Sequence, residues 1–341
     1  MNHEIEPAGS RPSLVHCKIG LILVIWMLLA WSAASSAQQK GQWQPGQFGL
    51  NAGSIPSPGI TYANMPLSYS ASQLNNSNGN PVQGVTGTYS VWVDENIIYY
   101  VPAHKILGGY FMPYIDLNWA SGSVVADITG TNLGGAAGGS GFADTFVEPL
   151  SIGWHLKRAD VNVGYAFTAP TGRYTAGASN NVGSGYWGNN IVSGTTFYIT
   201  KNKGTSANLT TDWEIHGKKE GTNETPGQAF TDEWGLGQVL PLKKDMSQLL
   251  QLGVVGYDQF QVTANGGTVS VGGIPAPARL IPFYSVHGVG GQVNYILPAK
   301  NLVFFFKGYG EYRALNRVQG RTIVLGLSWT WGFPKAKTPK T

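Results

Sequence analysis

Near its C-terminal end the chain reads RTIVLGLSWTWGFPKAK. Every second residue from Ile323 is large and apolar: Ile323, Leu325, Leu327, Trp329, Trp331 and Phe333. Between them stand Thr322, Val324, Gly326, Ser328, Thr330 and Gly332, which are small and mostly polar. A period of two is that of a β-strand, whose side chains alternate between opposite faces. The bulky face needs an apolar neighbour, and either a sandwich core or lipid supplies one. Other segments alternate as cleanly. Val161, Val163, Tyr165 and Phe167 oppose Asn162, Gly164, Ala166 and Thr168. Leu209, Trp213 and Ile215 oppose Thr210, Asp212, Glu214 and His216. Leu302, Phe304, Phe306 and Tyr312 share one side, and Lys307, Tyr309, Glu311 and Arg313 the other.

Twelve such strands are predicted, near 59–70, 88–101, 106–119, 143–156, 159–168, 187–200, 207–217, 229–241, 248–262, 282–297, 301–316 and 321–333. The stretch VWVDENIIYY and the strand around Pro149 choose no face; a bulge or a contact from a plug would each cause that. The connections sort by parity. PAHK, KRA, KNKGTS, PLKKDM and PAKN are short, whereas 71–87, 120–142, 169–186, 218–228 and 263–281 are long; only 317–320 breaks the rule. Transmembrane barrels alternate tight periplasmic turns with long outer loops. A soluble sandwich has no reason to do so. The expected fold is therefore an all-β transmembrane antiparallel β-barrel of about twelve strands over 59–333. The last strand closes it against the first, with Thr322, Gly326 and Ser328 facing the lumen. Trp329, Trp331 and Phe333 lie at the periplasmic interface, where aromatic girdles form.

Composition agrees. Only 12% of the 341 residues are charged, about half the share usual in soluble proteins, while Gly numbers 47. Mean hydropathy is nevertheless close to zero, at −0.08. A wall with one face in lipid and one in water has this mixture. The net charge of +4 is mild and no Lys/Arg run suggests nucleic-acid binding.

Residues 1–37 read as a signal peptide: a polar stretch, the apolar run IGLILVIWMLLAW, then SAASSA with Ser35 and Ala37 at the small positions. That run is short for a membrane-spanning helix. The single cysteine, Cys17, precedes it, so a cleaved chain has no thiol, disulfide or Cys-ligated metal. Residues 38–58 (QQKGQWQPGQFGLNAGSIPSP) form either a periplasmic arm or a lumen plug. Residues 334–341 read as a disordered basic tail.

YAFTAPTGRYTAG and NNVGSGYW within 165–187, GTNETPGQAFTDEW at 221–234 and GVVGYDQFQVTANGG at 253–267 are family-like blocks. So are PGITYANMPLSYSASQLNNSNGNPV and VNYILPAKNLVFFFKGYGEYRALNRVQGRTIVLGLSW. In order and spacing they resemble the outer-membrane family named for the meta-pathway of phenol degradation. The resemblance implies an outer-membrane channel or transporter, with outer-membrane lipids, the barrel assembly machinery and a small-molecule substrate as partners. It brings no catalytic residues. Barrel proteins generally finish at a terminal aromatic, whereas here eight residues follow Phe333.

The expected pore lining is Asp212, Glu214 and His216 with Lys307, Tyr309, Glu311 and Arg313. Inward these charges meet one another or water, whereas a Lys or Arg facing mid-depth lipid costs about 2–4 kcal/mol. Charged rings of this kind set pore selectivity. Tyr110 and Tyr114 on inward parity, with Tyr174, Tyr186 and Trp187 about the PTGRY loop, are candidates for a ligand vestibule. Asp212, Glu214 and His216 stand roughly 7 Å apart at successive Cα positions, so a hydrolase centred on His216 is an alternative, as is a filled structural or adhesive barrel. No G-x-S-x-G, H-E-x-x-H or phosphate loop is present, and neither a cofactor nor a metal is expected. The reading that combines these points is a non-enzymatic outer-membrane channel for small, hydrophobic or aromatic compounds.

Overall fold

The computed structural model describes residues 41–271 and 274–332. Its main element is a closed antiparallel barrel of twelve strands. These are β1 (Gly59–Leu74), β2 (Val85–Val101), β3 (Tyr114–Ile128), β4 (Thr145–His155), β5 (Ala159–Ala169) and β6 (Gly188–Tyr198). Then come β7 (Thr205–His216), β8 (Ala229–Pro241), β9 (Leu249–Gln261), β10 (Ser285–Leu297), β11 (Leu302–Leu315) and β12 (Val318–Gly332). Each pairs with its sequence neighbour, and β12 closes on β1 from Gly59↔Gly332 to Leu74↔Val318. A short piece, Tyr110–Phe111, begins the third stave against β4.

Alternation sorts the side chains as a barrel wall requires. Ile323, Leu325, Trp329 and Trp331 of β12 are exposed on the outer face, while Thr322 and Val324 are buried inside. Leu209, Trp213 and Ile215 of β7 point out, and Thr210, Asp212, Glu214 and His216 point in. The Trp329 and Trp331 rings stand 4.1 Å apart at the end that carries Gly59 and the short turns. Phe333, the signal expected at 1–37, residues 38–40 of the expected arm or plug and the tail expected at 334–341 lie outside the described residues.

Three departures from the sequence pattern have local causes. The long connection expected at 120–142 is mostly strand. Gly134–Phe142 pairs with β3 from Trp119↔Phe142 to Asp127↔Gly134, so only 129–133 turns. Backbone ladders hold this hairpin, and a glycine-rich strand shows no side-chain alternation. At the opposite end, residues 106–109 are a tight turn rather than strand. Ile106 and Gly109 exchange backbone hydrogen bonds while Leu107 and Gly108 both take positive φ, as a type I′ turn demands. Within the long loops, Asn223–Thr225, Gly266–Val271 and Ile274–Pro277 form a separate three-stranded sheet.

The two segments without a clear face are resolved. A register shift between Val147 and Leu150 marks a bulge at Pro149, which has no N–H for the ladder. In β2, Val93, Glu95 and Ile97 are buried in the lumen, while Asp94 and Asn96 face outward. There Asn64 donates to Asp94 Oδ1 (2.6 Å) and the Tyr62 hydroxyl to Asn96 Oδ1 (2.6 Å). Both faces of this strand are mixed: β1 side chains satisfy its outer polar groups, and Glu95 stands among Val93 and Ile97 on the inner face.

The lumen is two-sided. Met65, Leu67, Val91, Val93, Ile97 and Tyr114 on β1–β3 join Phe305 and Val324 in the largest apolar cluster. Across from it, β6–β9 present Asn190, Asp212, Glu214, Thr231, Glu233 and Gln259, all buried. The outer wall gives a direct test. Leu325→Arg puts a guanidinium among Ile323, Leu327 and Trp329 and is expected to cost about 2–4 kcal/mol of stability. Urea titration of the refolded barrel measures this, and a loss below about 1 kcal/mol, within the interfacial range, would contradict lipid contact at this depth.

Candidate functional site

Residues 41–58 run inside the barrel. Pro58 lies next to Gly332 at the short-turn end, and Gln42 lies beside Ser184 and Tyr186 at the long-loop end. Two glycines allow the close fit: a Cβ on Gly194 would collide with the Ala52 carbonyl, and one on Gly53 with the backbone of Asp160 and Thr196.

Wall side chains hold this segment by its backbone and polar groups. Glu233 accepts from Trp43 Nε1 (3.1 Å) and from the backbone N–H groups of Gln47 (3.3 Å), Phe48 (2.8 Å) and Gly49 (3.3 Å). Glu214 accepts from the Gln42 N–H (2.5 Å), and Glu95 from Gln47 Nε2 (3.1 Å). The Gln292 side-chain oxygen takes the Leu50 N–H (2.9 Å), and the Thr196 hydroxyl takes that of Gly53 (3.0 Å). Lys307 Nζ donates to the carbonyls of Gly46 and Gln47, and the Tyr309 hydroxyl to Gly46 O (3.3 Å). Among the described residues, no backbone–backbone hydrogen bond joins 41–58 to the wall.

The residues singled out by sequence distribute as follows. Asp212, Glu214 and His216 are buried on the inner face of β7, and Lys307, Tyr309 and Glu311 on that of β11. Asp212 accepts both its bonds from Asn190 Nδ2 (2.9 and 3.1 Å). His216 is engaged at both ring nitrogens: Nδ1 with Gly227 O (2.8 Å) and Nε2 with Glu214 (3.1 Å). Such a ring is held in place rather than presented as a free base. Among the described residues, no group of three His, Cys, Asp or Glu side chains is arranged to hold a metal ion.

Arg313 does not line the lumen. It has φ +52° at a β10–β11 register shift, and the extra residue turns it outward while Ala314 goes in. Its place is taken by Arg317, buried 3.7 Å from Glu311. The vestibule candidates do not form one cluster. Tyr186 is buried against His216 (5.2 Å between rings). Tyr174 is half-buried in the same loop with Lys219 over its ring. Trp187 is exposed and packs on Phe167 of the outer face. Tyr114 stacks on Phe146 inside the lumen, nearer the short turns, and Tyr110 lies among them with Lys105 and His155.

Glu95, Glu233 and Arg317, with Asp116, Glu148 and Asp160, are also buried charged side chains that escape the sequence reading. The FTDEWGLG stretch carries the missed signal: Thr231, Glu233 and Gly235 oppose Phe230, Asp232, Trp234 and Leu236.

Solved structures of similar fold are bacterial outer-membrane barrels. An outer membrane channel from Pseudomonas putida F1 has a TM-score of 0.63 at 14% identity, with 85% of this chain and all of that one covered. The β-domain of the Bordetella autotransporter BrkA has a TM-score of 0.47 at 12% identity, covering 80% of this chain and 100% of that one. A FadL homologue of Pseudomonas aeruginosa has 0.34 at 8%, covering 85% and 93%. No curated protein matches the chain. Residues 71–327, from late β1 to the middle of β12, match the model of the family described as "Putative MetA-pathway of phenol degradation", and the chain belongs to that family.

Proposed function

We propose that the protein is an outer-membrane channel for small hydrophobic or aromatic molecules, with residues 41–58 closing its lumen at rest. Residues 1–37 are its export signal, the barrel assembly machinery inserts 59–333, and outer-membrane lipids meet its apolar belt. The observation that supports this most is how the segment is attached. Side-chain contacts, unlike strand pairing, can be exchanged for water or ligand without opening the wall. The two-sided lumen suits an amphipathic passenger: an apolar cluster on β1–β3, with Glu95 and Asp116 set into that wall, and mostly polar groups opposite. The fold shared with the Pseudomonas putida F1 channel points the same way.

Charge sets the expected selectivity. Among the described residues the buried acids are Glu95, Asp116, Glu148, Asp160, Asp212, Glu214, Glu233 and Glu311, against Lys307 and Arg317 as the buried Lys and Arg side chains. An excess of one sign along a pore concentrates the opposite ion. In planar bilayers the full chain is expected to conduct rarely, and a chain lacking 41–56 to conduct steadily with cations favoured over anions. A folded deletion variant without conductance would turn the reading toward a filled structural barrel.

A further inference from the structure

Within the lumen segment one side chain is seated as a ligand would be. Trp43 is 3% exposed. Its ring stacks on Phe48 (5.7 Å, 14° between planes) and meets the edge of Phe146 on the wall (5.8 Å, 72°). Ala166 and Val192 close the apolar pocket, and the indole N–H points at Glu233. Glu233 is itself 1% exposed, and every hydrogen bond that the described residues give its carboxylate comes from the segment. When the segment leaves, Phe48 goes with it, and a buried carboxylate loses all these donors beside the Phe146 ring, Ala166 and Val192.

We propose that the Trp43 seat is the ligand seat of the channel, and that its ligand is a planar aromatic carrying one hydrogen-bond donor, the chemistry shared by phenols and indoles. The inference rests on the channel reading above. An ionised carboxylate only accepts, so the pocket needs a donor to replace Trp43 Nε1. An aromatic hydrocarbon fills the space but leaves Glu233 bare, which forfeits the advantage. An aromatic carboxylate brings Glu233 a second acceptor instead of a donor, so it too leaves the site unsatisfied. The ligand competes with a tethered side chain, so binding and release of the segment are one equilibrium.

The experiment uses the full chain in liposomes, with Cys17→Ser and Gln44→Cys, and measures maleimide labelling of the segment. Indole and phenol are expected to raise the labelling rate; 1-methylindole, toluene and benzoate at equal concentration are not. The separation of indole from 1-methylindole should be about tenfold in half-effective concentration, as one bond to a charged acceptor supplies. Glu233→Gln should shrink that separation. Trp43→Phe, which keeps a ring but loses the donor, should lower the indole concentration needed. Equal effects of indole and 1-methylindole, or no effect of either, overturn the proposal. Should the cysteine variant not fold, equilibrium dialysis of the same compounds against the unsubstituted protein measures the same separation, and equal binding of indole and 1-methylindole there overturns the proposal as well. A conducting 41–56 deletion alongside a donor-blind segment would sink the seat and keep the channel; a silent deletion would sink the channel itself.

Discussion

Glu311→Ala is expected to lower the stability of the barrel by about 3–5 kcal/mol, the cost of removing one partner from a buried ion pair. The carboxylate joins four parts of the molecule. Its Oε2 accepts from the Tyr69 hydroxyl of β1 (2.7 Å) and from the Gly320 N–H of β12 (2.7 Å). Its Oε1 accepts from the Tyr257 hydroxyl of β9 (3.1 Å) and stands 3.7 Å from Arg317 Nη2. Both side chains of that pair are almost completely buried. Without the carboxylate, two phenols and an amide lose their acceptor and a buried guanidinium loses its counter-charge. Glu311→Gln keeps the volume and one acceptor oxygen, so it should lose less. Arg317→Ala should cost a similar amount, because it leaves Glu311 charged and underpaired. The double variant should cost less than the sum of the two, as contacting partners require. Urea unfolding of the refolded protein is the measurement. Losses under about 1 kcal/mol in both single variants would mean the pair is worth no more than a surface one.

How much of the fold is legible in the sequence depends on what carries the information. The lipid-facing stripe of β12 can be read because Ile323 to Trp331 alternate without interruption, and the paired strand β1 closes on it in register. Loop parity is legible for a similar reason, since turns are local. The strand inside 120–142 escapes because Gly134–Phe142 offers too few side chains for a period to show. Arg313 is misplaced by alternation because a period of two carries no mark of an inserted residue. The bulge between β10 and β11 flips every position beyond it, so Arg317, which looks like part of a turn, is the cation that enters.

The candidate site divides along the same line. Asp212, Glu214 and His216 sit where alternation on β7 puts them. The sequence leaves the course of residues 41–58 open because their partners are remote. Trp43 bonds a residue 190 positions away, and Lys307 reaches Gly46 across 261. Nothing in QWQPGQFGLNAG specifies those neighbours locally. Glu233 alternates as clearly as Glu214, but its importance comes from the segment that it holds, and that appears only once the chain is folded.

Lys307→Met should release the lumen segment while leaving the barrel closed. Lys307 is 0% exposed and is the buried cation next to the segment, with its ammonium on the Gly46 and Gln47 carbonyls. The acids that hold the adjoining N–H groups, Glu95 and Glu233, both interact with it electrostatically. Methionine keeps the stem but removes the ammonium, which also lies 5.2 Å from the Phe305 ring centroid, and leaves Glu95 and Glu233 without the cation that both face. The docked segment is then expected to lose about 3 kcal/mol, roughly a hundredfold in its docked-to-released ratio. Amide exchange over 41–58 should quicken by that order while exchange in β1–β12 stays slow, and channel openings should become more frequent. Glu233→Gln in the same chain removes one of the stranded charges, so the double variant should regain part of the loss. That recovery is the decisive outcome. A Lys307 that merely fills space would leave segment exchange unchanged in the methionine variant, and a Lys307 needed only for its two carbonyl bonds would show no recovery when Glu233 is neutralised.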